Sequence, residues 1–291
     1  MSVINTPLEE TYIKTNGIKL HVMQAGPKDG PLVIMLHGFP EFWYGWRHQI
    51  DHLVNLGFRL MIPDQRGYNL SEKVQGGIDN YIVNNMAADA IGLIQAAGRE
   101  TAYVVGHDWG ALVSWWTTLL HPEKVTKLAI LEVPHPYIFD QALEDDPRQI
   151  RMSWYAWLFQ MYWIPEHVMA INDWDVAVWS IKASGLPTTF TPEDLEIYRG
   201  AYRQPEAMTC SMNYYRALIQ RPRPVPKDWR IHCPVQMFWG EKDQYLDERL
   251  VQPSLRMCDN AKIDYVPYAT HWIQHDAAPE VNRILGEFLT S

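Results

Sequence analysis

The sequence predicts an α/β fold with a mainly parallel, eight-stranded sheet, helices on both of its faces and an inserted helical lid. Three observations support this prediction. Short apolar runs of strand length alternate with segments of helical period, which is typical of a parallel sheet. Most of these runs are apolar almost throughout, as expected for strands that are buried on both faces. Between residues 135 and 228 the alternation stops, and aromatic residues become frequent.

The first two predicted strands form a hairpin, and further strands follow along the chain. The hairpin turn is predicted at Asn16-Gly17, a dipeptide that favours a tight two-residue turn. Helices are expected at about 80–97, 111–121 and 279–289. The predicted strands are residues 12–14, 19–23, 31–37, 59–64, 101–105, 126–133, 234–239 and 262–266.

Length and composition predict one catalytic domain with an insertion. A chain of 291 residues, 47% of them hydrophobic, can bury a large core as one α/β unit. We assign residues 1–134 and 229–291 to the catalytic domain and residues 135–228 to the lid. Most aromatic rings of the lid are expected to form a small core that holds the lid against the domain.

Charge and cysteine content limit the partners and the location. A formal net charge of -9 argues against a nucleic-acid or anionic-membrane partner, because both need basic patches. The three cysteines have no metal-binding spacing and are expected to be reduced. The N-terminus lacks the apolar core of a signal peptide, and no run is long enough to span a membrane. We therefore expect a cytoplasmic protein without a membrane partner, as a monomer or homodimer.

The segment 106–111, GHDWGA, is the most informative motif of the chain. It follows the predicted strand 101–105 and opens a helix, as a nucleophile elbow does. Small residues at 106, 110 and 111 allow the tight backbone packing that lifts the central side chain above the sheet. That side chain is Asp108. Asp108 also fits a helix N-cap, since aspartate is a good capping residue.

An aspartate at such an elbow predicts displacement at a saturated carbon. A serine that attacks a saturated carbon forms an ether, which is a dead end for catalysis. A carboxylate forms an ester instead, and water can attack the ester carbonyl and regenerate the enzyme. Asp108 therefore indicates the opening of an epoxide or the cleavage of a carbon–halogen bond.

Hydrolysis of this ester needs a base and an acid that orients the base. His271 follows the last predicted strand, at the sheet edge where active-site loops gather. His275 competes with it, and we expect His275 to be helical and structural. Asp243, after the penultimate strand, is the predicted acid, and Glu132 at the end of strand 126–133 is a second candidate. The order nucleophile, acid, base is the one found on the α/β-hydrolase scaffold.

The tetrahedral intermediate of ester hydrolysis carries a negatively charged oxygen, which backbone N–H groups can stabilise. The expected donors are Trp109, directly after the nucleophile, and Phe39, in the turn after a predicted strand. Gly38 permits a close approach at that turn. We also expect the rings of Phe39, Trp109 and the lid residue Phe159 to contact the substrate.

Five motifs make the chain closely resemble the epoxide hydrolases of the α/β-hydrolase fold. The resemblance spans nearly the whole catalytic domain, and it implies that two lid tyrosines hydrogen-bond the epoxide oxygen and donate a proton to it. Tyr215 in the segment MNYYR and Tyr155 in the segment WYAWLFQ match these roles, and Tyr162 is the alternative to Tyr155. The motifs are 37–47 (HGFPEFWYGWR), 64–68 (DQRGY), 106–110 (GHDWG), 239–243 (WGEKD) and 271–275 (HWIQH).

The activity implied by this resemblance is hydrolysis of hydrophobic epoxides to vicinal diols. Asp108 would form the ester, and His271 with Asp243 would activate the water that cleaves it. Neither a metal nor an organic cofactor is expected, and the sequence has no zinc-ligand spacing, phosphate-binding loop or dinucleotide-binding glycine motif.

Haloalkane and haloacetate dehalogenases are the alternative, because they share the elbow aspartate and the histidine base. The haloalkane enzymes commonly have asparagine where Phe39 stands. The haloacetate enzymes have arginines just after the nucleophile, where this chain has Trp109 and Leu112. Both differences favour a neutral epoxide. A non-enzymatic binding protein of the same fold is disfavoured, because no catalytic residue is missing.

Overall fold

A computed structural model describes residues 4–291, and a single eight-stranded sheet forms its centre. Each predicted strand corresponds to one observed strand, with ends that differ by a few residues. The strands are β1 (Glu9–Thr15), β2 (Ile18–Ala25), β3 (Leu32–Leu36), β4 (Arg59–Pro63), β5 (Ala102–His107), β6 (Val125–Leu131), β7 (Val235–Gly240) and β8 (Ala261–Val266).

The sheet is parallel except at one edge. β1 and β2 pair antiparallel around the Asn16-Gly17 turn, and β2 also runs antiparallel to β4. The φ angles of 46° and 77° at the two turn residues fit the predicted hairpin. The remaining neighbours are parallel, and the spatial order is β1-β2-β4-β3-β5-β6-β7-β8. The predicted fold, with an eight-stranded and mainly parallel sheet, is confirmed.

Helices follow the strands and fill the segment between β6 and β7. They are α1 (Ile50–Asn55), α2 (Val83–Ala96), α3 (Trp109–Leu120), α4 (Pro136–Asp145), α5 (Pro147–Met152), α6 (Trp154–Leu158), α7 (Ile164–Met169), α8 (Ile171–Ser184), α9 (Pro192–Tyr202), α10 (Ala207–Gln220), α11 (Val251–Leu255), α12 (Ile273–Asp276) and α13 (Ala278–Thr290). The helices expected at 80–97, 111–121 and 279–289 correspond to α2, α3 and α13. A short 3-10 helix, Ile78–Tyr81, occupies the start of the first of these ranges.

Two apolar cores lie on opposite faces of the sheet. Neighbouring residues of β3, Val33 and Ile34, point to different cores because side chains alternate along a strand. One core lies under α2 and α3 and includes the fully buried Trp115. The other lies under α1 and α13 and includes the fully buried Leu285. Covering both faces buries every residue of β3, which explains its continuous apolar sequence.

Helix α9, one of the helices between β6 and β7, contacts the loop that follows β3. The Tyr44 hydroxyl, in the loop after β3, donates a hydrogen bond of 2.9 Å to Asp194 of α9. Nε of Arg47 lies 3.1 Å from the same carboxylate, and both side chains are buried. Among the described helices, none is long and apolar enough to cross a membrane.

Candidate active site

Asp108 stands at the turn between β5 and α3. Its φ of 49° is one that L-residues rarely adopt, and its side chain makes no capping hydrogen bond to the helix. A Cβ at Gly106 would lie 2.4 Å from the carbonyl oxygen of Gly110, and a Cβ at Gly110 would lie 2.0 Å from that of Leu36. Glycine is therefore required at both positions. The turn holds Asp108 at the carboxyl edge of the sheet.

The structure brings Asp108, His271 and Asp243 together. Nε2 of His271 lies 3.5 Å from Oδ2 of Asp108, and Nδ1 of His271 lies 2.7 Å from Oδ2 of Asp243. Oδ1 of Asp243 accepts hydrogen bonds from the backbone N–H groups of Tyr245 and Leu246. A carboxylate bound to one ring nitrogen orients the imidazole and leaves the other nitrogen for proton transfer. In this site the free nitrogen, Nε2, faces Asp108.

The charges around His271 favour its protonated form. Burial would lower the pKa of His271, but the charges and hydrogen bonds of Asp243 and Asp108 raise it well above its ordinary value. Burial would raise the pKa of Asp108, but the hydrogen bond and charge of His271 hold it below its ordinary value. Asp108 is therefore ionised at neutral pH, as a carboxylate nucleophile must be.

The two predicted backbone donors flank Asp108. The Phe39 N–H donates a hydrogen bond of 2.6 Å to Oδ1 of Asp108. This approach depends on Gly38, since a Cβ there would lie 2.5 Å from Cβ of Asp108. Trp109 is the first residue of α3, and the first N–H groups of a helix have no acceptor within it. The Trp109 N–H is therefore free to bind an oxygen at this turn.

A cavity of about 250 Å³ opens at Asp108. Tyr155 of α6 and Tyr215 of α10 line it, with ring centroids 5.7 Å apart. Burial and the charge of Asp108 raise the pKa of both tyrosines well above the ordinary value, so their hydroxyls remain protonated. The rest of the wall is mainly apolar and consists of Trp109, Leu112, Val133, Phe139, Leu143, Glu144, Ser153, Ala156, Trp157, Leu218, Ile219, Arg223 and Leu246.

Two other aromatic residues singled out in the sequence lie outside this wall. Tyr162 is 46% exposed, and the guanidinium of Arg216 lies 4.5 Å from its ring centroid. Phe159 is buried and packs against Phe39, with ring centroids 5.3 Å apart. Of the three residues expected to contact substrate, Trp109 lines the cavity, whereas Phe39 and Phe159 are not among the described residues of its wall.

Glu132 lies beside the three side chains but does not hold the ring of His271. Its Oε1 accepts a hydrogen bond of 2.6 Å from the Gly240 N–H, and its carboxyl group meets that of Asp243. Burial and the charge of Asp243 raise the pKa of Glu132 well above its ordinary value. Asp243 is the carboxylate bonded to Nδ1 of His271 in this structure.

Glu41 is another buried carboxylate near the site, and the sequence patterns did not identify it as a candidate site residue. Its oxygens lie 3.2 Å from Nδ1 of His107 and 2.9 Å from Nε2 of His275, and the Tyr198 hydroxyl donates to it at 2.5 Å. Burial would raise the pKa of Glu41, but the charges of His275 and His107 lower it well below its ordinary value. Nε2 of His107 also lies 2.7 Å from the carbonyl oxygen of His271. The one sequence feature that could have indicated its role is the position of an acidic residue within an aromatic segment.

No group of side chains in residues 4–291 has the ligand set of a metal site. The cysteines at 210, 233 and 258 are free thiols, and none of them belongs to the cavity wall.

Comparison with known proteins identifies relatives that extend over almost the whole chain. Residues 31–174 match the sequence profile of the alpha/beta hydrolase fold family. The AB hydrolase superfamily protein YfhM of Bacillus subtilis is 42% identical over 278 residues, which is 96% of each chain. Epoxide hydrolase 2 of Caenorhabditis elegans is 32% identical over 283 residues, which covers 96% of this chain and 79% of that protein.

Solved structures of epoxide hydrolases also superpose on almost the whole chain. A variant of an epoxide hydrolase from Bacillus megaterium superposes with a TM-score of 0.88 at 29% identity, covering 97% of this chain and all of that one (100%). Epoxide hydrolase A from Mycobacterium thermoresistibile superposes with a TM-score of 0.83, also at 29% identity, covering 98% of this chain and 99% of that one.

Proposed function

The chain belongs to the epoxide hydrolases of the α/β-hydrolase fold, and we propose that it converts hydrophobic epoxides to vicinal diols through an ester of Asp108. The observation that carries the proposal is the arrangement around this carboxylate. One oxygen of Asp108 is bound by the Phe39 N–H and the other faces His271 at 3.5 Å. The hydroxyl-bearing rings of Tyr155 and Tyr215 line the same cavity.

In the first step, Oδ2 of Asp108 attacks one carbon of the epoxide from the side opposite the carbon–oxygen bond. That bond breaks, its electron pair goes to the ring oxygen, and a tyrosine hydroxyl gives this oxygen a proton. An alkoxide is a poor leaving group, and a positioned proton donor typically accelerates such a step by ~10² to 10⁴. Tyr155 and Tyr215 share this role, and the product is a hydroxyalkyl ester of Asp108.

In the second step, water attacks the carbonyl carbon of the ester while its proton goes to Nε2 of His271. Forming the ester removes the negative charge of Asp108, one of the two charges that raise the pKa of His271. The ring then gives its proton to solvent and becomes a base only after alkylation, when a base is needed. Asp243 keeps the ring oriented through Nδ1.

The intermediate then collapses with recovery of the enzyme. Its oxyanion is bound by the N–H groups of Phe39 and Trp109, which stabilise the charge. The leaving diol oxygen takes the proton from His271. The new carboxylic acid of Asp108 gives its proton to the tyrosine that acted in the first step. His271 then takes a proton from solvent, because the charge of Asp108 is restored.

The cavity wall supports a substrate class as well as a reaction. Apolar side chains dominate it, so a hydrophobic epoxide gains free energy by leaving water. Glu144 and Arg223 both lie in this wall, and Arg223 is paired with Asp140 at 2.7 Å. Glu144 therefore disfavours substrates with a carboxylate. The lid segment 135–228 supplies both tyrosines and, in this proposal, closes the cavity over the bound epoxide.

Location and assembly are further parts of the proposal. Free thiols at all three cysteine positions support a reducing, cytoplasmic location. The partners are then a small epoxide and water, and the enzyme acts as a monomer or homodimer.

The test of the proposed function is turnover of styrene oxide by the purified chain, with the diol measured by chromatography. 1-Chlorobutane serves as the alternative substrate, with chloride release as the readout. Diol formation that disappears in Asp108→Asn is the expected result. Chloride release without diol formation would show that the chain is a dehalogenase and not an epoxide hydrolase. If neither compound gave a product, both proposals would be wrong.

A further inference from the structure

Glu132 is fully buried at the carboxyl end of β6, and the two steps proposed above do not use it. Its Oε1 accepts the Gly240 N–H. Its Oε2 is buried without any hydrogen-bond donor from the described residues. A buried carboxylate oxygen without a partner is costly, because the desolvation penalty of the charge is not offset.

The neighbour of this carboxyl group is the carboxyl group of Asp243. Two ionised carboxylates in contact repel each other, so one of the pair must hold a proton. Asp243 accepts hydrogen bonds from the N–H groups of Tyr245 and Leu246 and binds Nδ1 of His271. Glu132 accepts one hydrogen bond, from Gly240. The larger number of donors stabilises the charge on Asp243, and the proton therefore belongs to Glu132.

We propose that Glu132 is a neutral carboxylic acid whose O–H donates a hydrogen bond to Asp243 and so positions this residue and sets the basicity of His271. The inference rests on the proposed function, because it assigns Asp243 and His271 their part in ester hydrolysis. Glu132 is then a positioning residue, which acts on His271 only through its hydrogen bond to Asp243.

The chemical consequence follows from the charge on Asp243. A hydrogen bond from Glu132 disperses this charge, so Asp243 holds the imidazolium proton less strongly. The pKa of His271 in the ester is then lower than it would be beside an unassisted aspartate, and the ring is a base over a wider pH range. Burial and the charge of Asp243 keep Glu132 protonated, because both raise its pKa. The titratable groups around His271 that influence its pKa are Asp108, Asp243, His107, Tyr245 and Glu132.

Two substitutions separate this role from others. Glu132→Gln keeps the size, the neutral charge, an oxygen for the Gly240 N–H and an N–H for Asp243. Glu132→Met keeps the approximate volume but removes both hydrogen bonds. The measurement is the single-turnover rate of ester decay across the pH range, with wild type, Glu132→Gln and Glu132→Met compared on styrene oxide.

The expected result is a wild-type profile for Glu132→Gln, with rates within about twofold. In Glu132→Met the acid limb should move to higher pH by about half a unit or more, because Asp243 then holds the imidazolium more tightly. If Glu132 were ionised, Glu132→Gln would remove a negative charge and move the acid limb to lower pH, which would overturn the proposal. A purely structural Glu132 would leave the limb unmoved in Glu132→Met, which would overturn it as well.

An infrared measurement tests the proton itself without any substrate. At a pH near 8 the wild type should show the carbonyl band of a protonated carboxyl group, and Glu132→Gln should lack it. Absence of such a band from the difference spectrum would overturn the inference even if Glu132→Met did not fold. Because the spectrum needs no turnover, its failure and the failure of the proposed function are distinguishable.

Discussion

The Phe39 N–H binds Oδ1 of Asp108 at 2.6 Å, while His271 faces Oδ2 of the same carboxylate. The two oxygens therefore have different environments before any substrate is present. In the proposed mechanism, Oδ1 becomes the carbonyl oxygen of the ester, where a backbone donor stabilises the later oxyanion. Oδ2 is then the attacking atom, and the water activated by His271 approaches the carbon between the two oxygens.

This arrangement predicts that Gly38→Ala impairs catalysis without unfolding the chain. The new Cβ would lie 2.5 Å from Cβ of Asp108, so the nucleophile or the Phe39 amide must shift. A displacement of about 1 Å at a reacting group can cost ~10² in rate. We expect turnover of styrene oxide to fall by about that factor, with an unchanged circular dichroism spectrum. Gly200→Ala, with no neighbouring atom in the way, is the control and should retain full activity.

The proposed role of Tyr155 and Tyr215 as proton donors leads to a second prediction, on the rate of ester formation. Tyr155→Phe and Tyr215→Phe each remove one of two proton donors, and the double variant removes both. We expect partial losses in the single variants and a loss of ~10² to 10⁴ in the rate of ester formation in the double variant, measured by rapid quench. Tyr162→Phe is the matched control, since Tyr162 is 46% exposed and lies outside the cavity wall. Unchanged rates in the double variant would disprove the acid role.

The two steps should respond differently to pH. The pKa of Asp108 lies below its ordinary value, so the nucleophile stays ionised down to about pH 4 and ester formation persists there. Hydrolysis needs neutral His271 and slows as falling pH protonates the ring. The fraction of enzyme present as ester, measured by rapid quench and mass spectrometry, should therefore rise from pH 8 to pH 5. A falling ester fraction would contradict the assignment of His271 as the base.

A stability prediction concerns the contact between α9 and Glu41. The Tyr198 hydroxyl donates to this buried carboxylate at 2.5 Å. Tyr198→Phe removes one donor from a charge that stays buried, and we expect a loss of about 1–3 kcal/mol in the free energy of unfolding. The measurement is urea unfolding of both variants at neutral pH. Tyr12→Phe, which removes a hydroxyl from a ring that is 47% exposed, is the control. Equal stability of both variants would show that the contact contributes little.

Much of the fold could be predicted because the signals are local. Each buried strand is a short apolar run, and the Asn16-Gly17 dipeptide specifies its own turn. The edge at which Asp108, Asp243 and His271 meet also follows from the order of strands, because parallel strands end on the same side of the sheet. What these residues share is a position in the turn or loop after a parallel strand, within five residues of the end of that strand.

Side-chain contacts across the chain could not be predicted in this way. Glu41 binds residues that are 66 and 234 positions away, and its sequence neighbours carry no trace of them. Tyr155 and Tyr162 differ in exposure because of the turn that follows α6, which a sequence pattern does not locate. The choice between Asp243 and Glu132 depends on which carboxylate lies within hydrogen-bond distance of Nδ1 of His271. The sequence does not give this distance.

The intact mass of His271→Gln after exposure to styrene oxide tests the proposed ester of Asp108 most directly. Removing the base should trap the ester, and we expect a mass gain equal to the whole epoxide, located by peptide mapping on Asp108. Asp108→Asn combined with His271→Gln should show no gain. An adduct on another residue would contradict the assignment of Asp108 as the nucleophile. A gain of the alkyl group alone after a haloalkane, with none after the epoxide, would contradict epoxide opening.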